Sequence, residues 1–273
     1  MFYCDYHIHT KYSFDGAPEA TVEGICESAI QKGISHIAFT DHFEANAGAQ
    51  GLYSPYDVKS AYGDIMQAKE KYRGKLDITY GLEIGQANQY PDVANAILRD
   101  HPVEFVLASL HNLRGKEDFY FMDFKSMDIG AAYSLYGEYL REIHEIISSL
   151  NKITSIGHIT YPHRYMAQAG MDFDFSRFYG ELSDIFKIME KKDIALEINT
   201  STYAKGLGFC MPDCDILSLY RDCGGRLITV GSDAHSPKNL CAGYEYGVEC
   251  AKKSGFDSVL IMHNGQKDIR RFN

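Results

Sequence analysis

Phe2-Tyr3-Cys4-Asp5-Tyr6-His7-Ile8-His9 is a short run of aromatic and apolar residues that ends in two histidines separated by one residue. A run of this kind reads as a parallel strand buried on both faces. The residues just downstream bear on the fold class. Nucleotide-binding open sheets place a glycine-rich phosphate turn after the first strand, and neither that turn nor a P-loop occurs in this chain. Working outward, similar runs recur at 35–40, 76–83, 105–110, 153–159, 194–198 and 227–230. Between them, 21–32, 57–72, 136–150, 178–191 and 216–223 carry apolar residues at three- and four-residue spacing, which reads as amphipathic helix. Alternating strands and helices imply parallel strands joined by right-handed crossovers, either in a barrel or in an open doubly wound sheet. The missing phosphate turns favour an α/β, TIM-barrel-like (β/α) barrel. The segments 45–55 and 115–130 lack periodicity and read as loops over a site. With no internal repeat, low-complexity tract or linker, residues 1–273 are expected to form a single domain.

The composition allows a sizeable core, with 45% hydrophobic and 23% charged residues. The formal net charge is −10, and the 27 basic residues are scattered, which argues against a nucleic-acid partner. No window approaches a membrane span and the start carries no signal-peptide pattern, so a cytoplasmic protein without a membrane partner is expected. Seven cysteines with no second half-site near Cys210 and Cys214 suggest reduced structural thiols.

Metal-ligand residue types recur at the downstream ends of these strands, where a (β/α) barrel builds its active site. His7 and His9 have the alternate spacing that points two imidazoles to one face of a strand, where they can clasp one ion. The second strand leads into Asp41-His42; His42 is assigned as a ligand and Asp41 as the group that orients an imidazole or a bound water. Glu83 ends an apolar run in which a carboxylate is costly unless paired with cations, and a carboxylate can bridge two of them. His111 and His158 each follow such a run, and Asp233-Ala234-His235 repeats the alternate spacing. Asp15, just past the first strand, could fold back as a further ligand, or mark an Asp-Gly turn. His36, His101, His144 and His263 do not fit this pattern and read as structural or surface residues.

The ordered set HIHT (7–10), TDH (40–42), GLEIG (81–85), SLHN (109–112), GHI (157–159), EINT (197–200) and GSDAH (231–235) resembles the polymerase and histidinol phosphatase (PHP) superfamily, in particular its histidinol phosphate phosphatases. The resemblance implies a distorted seven-stranded barrel with three divalent metal ions. One would lie on His7, His9, Glu83 and Asp233, a second on Glu83, His111 and His158, and a third on Asp15, His42 and His235. A carboxylate at Asp15, where many relatives have histidine, favours the histidinol phosphatase branch. The resemblance also implies basic side chains on the substrate phosphate. Arg164 matches one such position, and Lys205 stands beside Ala204, where arginine is expected for the other.

Imidazole and carboxylate donors without thiolates suit zinc, iron or manganese. The expected chemistry is metal-assisted hydrolysis of a small phosphomonoester, L-histidinol phosphate in histidine biosynthesis, with Glu83, Asp233 and His235 at its centre. Asp41, a His235 that carries no metal, or a metal-held water are the candidates for protonating the leaving oxygen. The alternatives are the same hydrolase acting on a nucleotide, phosphotyrosine peptide or other small phosphomonoester, and a metal- and phosphate-binding regulatory module without turnover.

Overall fold

The computed structural model describes residues 2–47 and 56–272. The opening run folds as β1 (Cys4–Ile8), with every residue buried. It is followed in the chain by β2 (His36–Phe39), β3 (His42–Glu44), β4 (Asp77–Gly85), β5 (Phe105–Ser109), β6 (Ser155–Ile156), β7 (Ala195–Asn199) and β8 (Ile228–Gly231). These strands are all parallel, in the order β1-β2-β4-β5-β6-β7-β8, with β3 also paired to β4. β2 and β3 are one strand broken at Thr40-Asp41: Phe39 pairs with Tyr80, and pairing resumes at His42 with Glu83.

The sheet curls into a nearly closed seven-stranded barrel. At the seam between β8 and β1 the ladder shrinks to a single bridge, Ile8 with Ala234. There the His9 N–H donates to the Ala234 carbonyl at 2.9 Å and the Ala234 N–H to the His7 carbonyl at 3.2 Å. The expected barrel is therefore present, with the open doubly wound sheet excluded.

The helices are α1 (Val22–Gln31), α2 (Val58–Lys71), α3 (Pro91–Asp100), α4 (Ile129–Ser149), α5 (Tyr161–Gln168), α6 (Tyr179–Lys191), α7 (Ser201–Ala204), α8 (Cys214–Asp222) and α9 (Tyr244–Lys253). Several begin at a side-chain cap that satisfies an otherwise orphaned N–H: Thr21 for α1, Asp57 for α2, Asp128 for α4 and Asp213 for α8. On α4 the buried stripe Leu135, Tyr136, Tyr139, Leu140, Ile143, Ile146 and Ile147 has helical spacing. Its start at Ile129 rather than 136 escapes a periodicity reading because the first turn is exposed and only Ala132 of its early residues is buried. Most of 115–130 is the expected loop. In the other expected loop, residues 48–55 lie outside the described residues.

The disulfide state corrects the expectation of reduced thiols, and the C-terminus adds an element that the apolar pattern did not show. Cys214 and Cys250 form a disulfide that ties the start of α8 to the end of α9, while the other five cysteines are free. A C-terminal hairpin, β9 (Ser258–His263) with β10 (Gln266–Arg271), docks on the N-terminal end of the barrel, where His263 meets Asp77 at the start of β4. There the Tyr6 hydroxyl accepts from the Met262 N–H at 2.6 Å. Among the described residues no helix is long and apolar enough to cross a membrane.

Candidate metal centre

Glu83 lies two residues before the end of β4 and acts as the hub. One of its oxygens is 2.9 Å from His158 Nε2 and 3.2 Å from His111 Nε2. The other is 3.1 Å from His42 Nδ1, 3.3 Å from His7 Nε2 and 3.6 Å from His9 Nε2. Asp233 Oδ1 faces the same histidines, 3.8 Å from His7 Nε2 and 3.5 Å from His9 Nε2. Toward solvent, Asp15 Oδ2 is 2.9 Å from His235 Nε2 and 3.6 Å from His42 Nε2. The candidates picked from the strand ends, and Asp15 from its loop, are thus brought together at the C-terminal mouth of the barrel.

Their donor atoms fall into groups close enough to share an ion: His7, Glu83 and His158; His7, His9 and Asp233; His42, Glu83 and His111; and His9, Asp15, His42 and His235. The partition overlaps the one implied by the resemblance, with two differences. His9 also reaches the outer group, and His158 groups with His7 while His111 groups with His42, although both face the same Glu83 oxygen. His7 Nε2, His9 Nε2, His42 Nδ1 and Glu83 Oε2 are buried and make no hydrogen bond of sound geometry among the described residues. Unpaired buried donors and acceptors are costly, and four that converge on one space suit divalent cations. Three of the buried imidazoles are also anchored from behind, whereas His158 Nδ1 has no partner among the described residues. His7 Nδ1 is 2.6 Å from Glu197 Oε1, and His111 Nδ1 is 2.9 Å from Glu44 Oε1. His9 Nδ1 is 3.0 Å from Ser13 Oγ, which donates to Asp41 at 2.9 Å. Such partners fix the tautomer that leaves Nε2 free as a ligand.

Glu44, Glu197 and Ser13 were not picked out from the sequence. Glu197 carries the signal that identified Glu83, a carboxylate inside a buried apolar strand, with all of β7 buried. It also accepts from the His158 N–H at 2.7 Å. Its approach to His7 depends on Gly231, where a Cβ would lie 2.5 Å from Glu197 Oε1 and 2.3 Å from His7 Cβ.

Asp41 lies behind the cluster. Its carboxylate is wholly buried and accepts from the Thr10 N–H and hydroxyl, the Ser13 hydroxyl and the Tyr56 hydroxyl. It does not reach the pocket, so the expectation that it protonates a leaving group is corrected to one of holding Ser13, and through it His9. Asp233 also departs from expectation. β8 ends at Gly231, and Asp233 adopts a left-handed conformation with φ of 56°, so it and His235 are not alternate residues of an extended strand. Asp tolerates this region better than most residues, and a local cost persists only where surroundings enforce it. Here the Arg164 guanidinium holds Asp233 Oδ2 at 2.9 Å.

Burial disfavours charge throughout the cluster; it is outweighed where carboxylates and His7 face one another, and it prevails at His9 and His158. The carboxyls of Glu83 and Asp233 are held well below their ordinary range, for both with His7 as the main opposing charge. His7 is held well above its range by Glu197, Glu83 and Asp233. His9, buried and flanked by His235 and His42, falls to about 3.

Above the cluster opens a pocket of about 460 Å³ lined by Asp15, His42, His111, Asp233, His235, Arg164 and Lys205, with a rim of Phe14, Tyr120, Phe121, Tyr161 and Tyr165 beside Asp118. Arg164 rises from α5, is buried, and lies 5.1 Å from the Tyr161 ring centroid. Its guanidinium donates to Asp233 and Ser201, while its Nε is buried with no partner among the described residues. Lys205, just past α7, is exposed at the rim, and its pKa is lowered by partial loss of water and by the nearby Arg164.

Residues 5–201 match the PHP domain family. A histidinol-phosphatase of Lactococcus lactis is 27% identical over 270 residues, covering 96% of this chain and 95% of that protein. A histidinol-phosphatase of Bacillus subtilis is 26% identical over 234 residues, covering 74% of this chain and 84% of that protein. The crystal structure of the Lactococcus lactis histidinol phosphate phosphatase, complexed with zinc, L-histidinol and phosphate, superposes with a TM-score of 0.82 at 24% identity, covering 97% of this chain and 98% of that one.

Proposed function

Because the chain belongs to the PHP domain family, we propose that it is a metal-dependent phosphomonoesterase that cleaves L-histidinol phosphate to L-histidinol and phosphate, a step of histidine biosynthesis, with residues 1–273 acting as one domain. The observation that carries this reading is the convergence of buried, unpartnered ligand atoms of His7, His9, His42 and Glu83 beneath a pocket walled by Arg164 and Lys205. Relatives named histidinol-phosphatase, alike over most of both chains, support the substrate. The family match stops at residue 201, yet Asp233 and His235 come from beyond it, which favours the whole chain as the working unit.

Three divalent cations, zinc, iron or manganese, would be held by His7, His9, Glu83 and Asp233; by Glu83, His111 and His158; and by Asp15, His42 and His235. Bound there, they supply Lewis acidity, neutralising charge on the phosphoryl oxygens and activating water as the nucleophile. The chain's own groups do the rest. Arg164, fixed by Asp233, Ser201 and Tyr161, offers its remaining N–H capacity to the phosphoryl oxygens, which concentrate negative charge in phosphoryl transfer. Lys205 adds a mobile charge at the rim. The aromatic rim would stack on the imidazole ring of the leaving alcohol and limit water at the reacting end. His235 lines the pocket with 29% of its side chain exposed, and without a third cation on it this imidazole would be the side chain suited to exchange a proton with the leaving oxygen.

The test is a substrate panel run on protein whose metal content has been measured. The expected result is preferential turnover of histidinol phosphate, abolished by a chelator and restored by added divalent metal. Full activity in metal-free protein would overturn the reading. Preference for a nucleotide or phosphotyrosine peptide would move the substrate elsewhere, and phosphate binding without release would make the protein a binding module.

A further inference from the structure

At the opposite end of the barrel, two imidazoles and a carboxylate meet that the pocket does not use. His36 opens β2 and Asp77 opens β4, and the two are register partners in that parallel pair, so their side chains leave the sheet on one side. His263 ends β9, so the C-terminal hairpin delivers the third group. His36 Nε2 is 3.7 Å from Asp77 Oδ2, and His263 Nδ1 is 2.6 Å from the same oxygen. One ligand atom from each residue lies within 4.8 Å of the others.

The site is supported on one side and open on the other. His36 Nδ1 is 3.0 Å from Ser35 Oγ and its ring packs 5.1 Å from that of Phe2, which leaves Nε2 for the cluster. His263 is 49% exposed, so water has access. The crevice also contains Lys69, Arg73, Lys75 and Arg270. Three of these cations are engaged elsewhere, Lys69 by Glu104, Arg73 by Glu70 and Arg270 by Asp268. A plain ion pair between His263 and Asp77 would need no second imidazole aimed at the same oxygen. Two histidines and one carboxylate with open positions are a donor set that zinc takes, with water completing the shell. Ligand atoms around zinc stand roughly 3.3–3.5 Å apart given bonds of about 2.0–2.2 Å. The 3.7 Å edge is already close to that, and the 2.6 Å edge opens with a small turn of the exposed His263.

We infer that His36, Asp77 and His263 form a separate site for a zinc-like dication that pins the C-terminal hairpin to the floor of the barrel. The site is independent of the pocket and of the reaction proposed for it. The test titrates the full chain, its pocket metals loaded, with zinc, counting bound equivalents by calorimetry and by metal analysis after desalting. The comparison is with His263→Gln and with the double variant His36→Ala/His263→Ala. The wild type is expected to take up one more equivalent than either variant, and zinc to raise its Tm and slow proteolysis of the hairpin. Neither effect is expected in the variants, while pocket metal content and phosphatase turnover stay at wild-type levels. His263→Gln alone decides the matter if the double variant fails to fold. Equal uptake by wild type and His263→Gln would overturn the inference, whatever the substrate panel shows for the pocket.

Discussion

The chemistry at the mouth of the barrel converges on Glu83, the carboxylate whose two oxygens face five imidazoles, His7 and His9 from the end of β1 and His42, His111 and His158 from three further strands. Glu83→Ala removes the group that holds these rings to one centre. Turnover is expected to fall by several orders of magnitude, together with loss of bound metal, while the barrel stays folded by circular dichroism. An active variant would refute the hub assignment. Glu197 acts one step back, through the imidazole of His7 and the backbone of His158. Glu197→Gln weakens the anchor without emptying the space, so metal affinity should drop roughly 10–100-fold, as is usual for partners of metal-bound histidines. Competition with a chelating dye measures this, and unchanged affinity would mean that His7 needs no anchor. At this scale the sequence showed the residues that interrupt a pattern. Glu83 was visible as a carboxylate in an apolar run, and Glu197 was equally visible in Leu196-Glu197-Ile198. Glu44 was not, because its meaning lies in His111, 67 residues away.

Among the elements, strands and long helices were legible because their apolar spacing is set by the barrel they cover. Short elements with one or two buried residues were not: α3 buries only Ala94 and Ile97. The C-terminal hairpin had a signal of a different kind. Its turn is Asn264-Gly265, with φ of 51° and 75°, a pair that suits a two-residue hairpin loop. The strand after it is exposed almost throughout and has no apolar alternation to announce it. α5 carries Arg164 into the pocket, and its stability has a predictable acid limit. His163, on the same helix, has its ring 4.6 Å from that of Phe209 and 4.8 Å from that of Phe175. Burial lowers this imidazole from 6.5 to about 4. A lowered pKa means that the native state refuses a proton that the unfolded chain accepts, so the contribution is intact above pH 6.5 and is lost as pH falls toward 4. The urea midpoint of the wild type should therefore drop between about pH 7 and pH 5. His163→Phe should drop less over the same interval. Equal drops in the two proteins would place the acid sensitivity elsewhere.

For the whole molecule, strand order follows chain order, so the decisive question is how the first strand meets the last. Sequence pattern could not choose between a barrel and an open sheet; the absence of a phosphate turn after the first strand did so indirectly. The closing contact itself was invisible, because Asp5 finds its partners 227 and 236 residues downstream. With only one backbone bridge at the seam, that side chain is a principal fastener. Its carboxylate is buried and accepts from the Ser232 N–H at 2.9 Å, the Ser232 hydroxyl at 2.5 Å and the Cys241 N–H at 2.8 Å. Burial raises its pKa, so part of what these bonds contribute goes to offsetting desolvation. Asp5→Ala strands three donors at once, and breaking a buried charged network of this kind costs about 3–5 kcal/mol. For a chain of this size that corresponds to a fall in Tm of roughly 10 °C. Asp5→Asn keeps one acceptor oxygen and should lose about half as much. Because His7 and His9 lie on one side of the seam and Asp233 and His235 on the other, the alanine variant should also bind its metals more weakly at temperatures where it is still folded. Thermal melts and metal titrations on the same preparations separate the two effects. A wild-type Tm in Asp5→Ala would mean that the hairpin and the outer helices close the barrel without this seam.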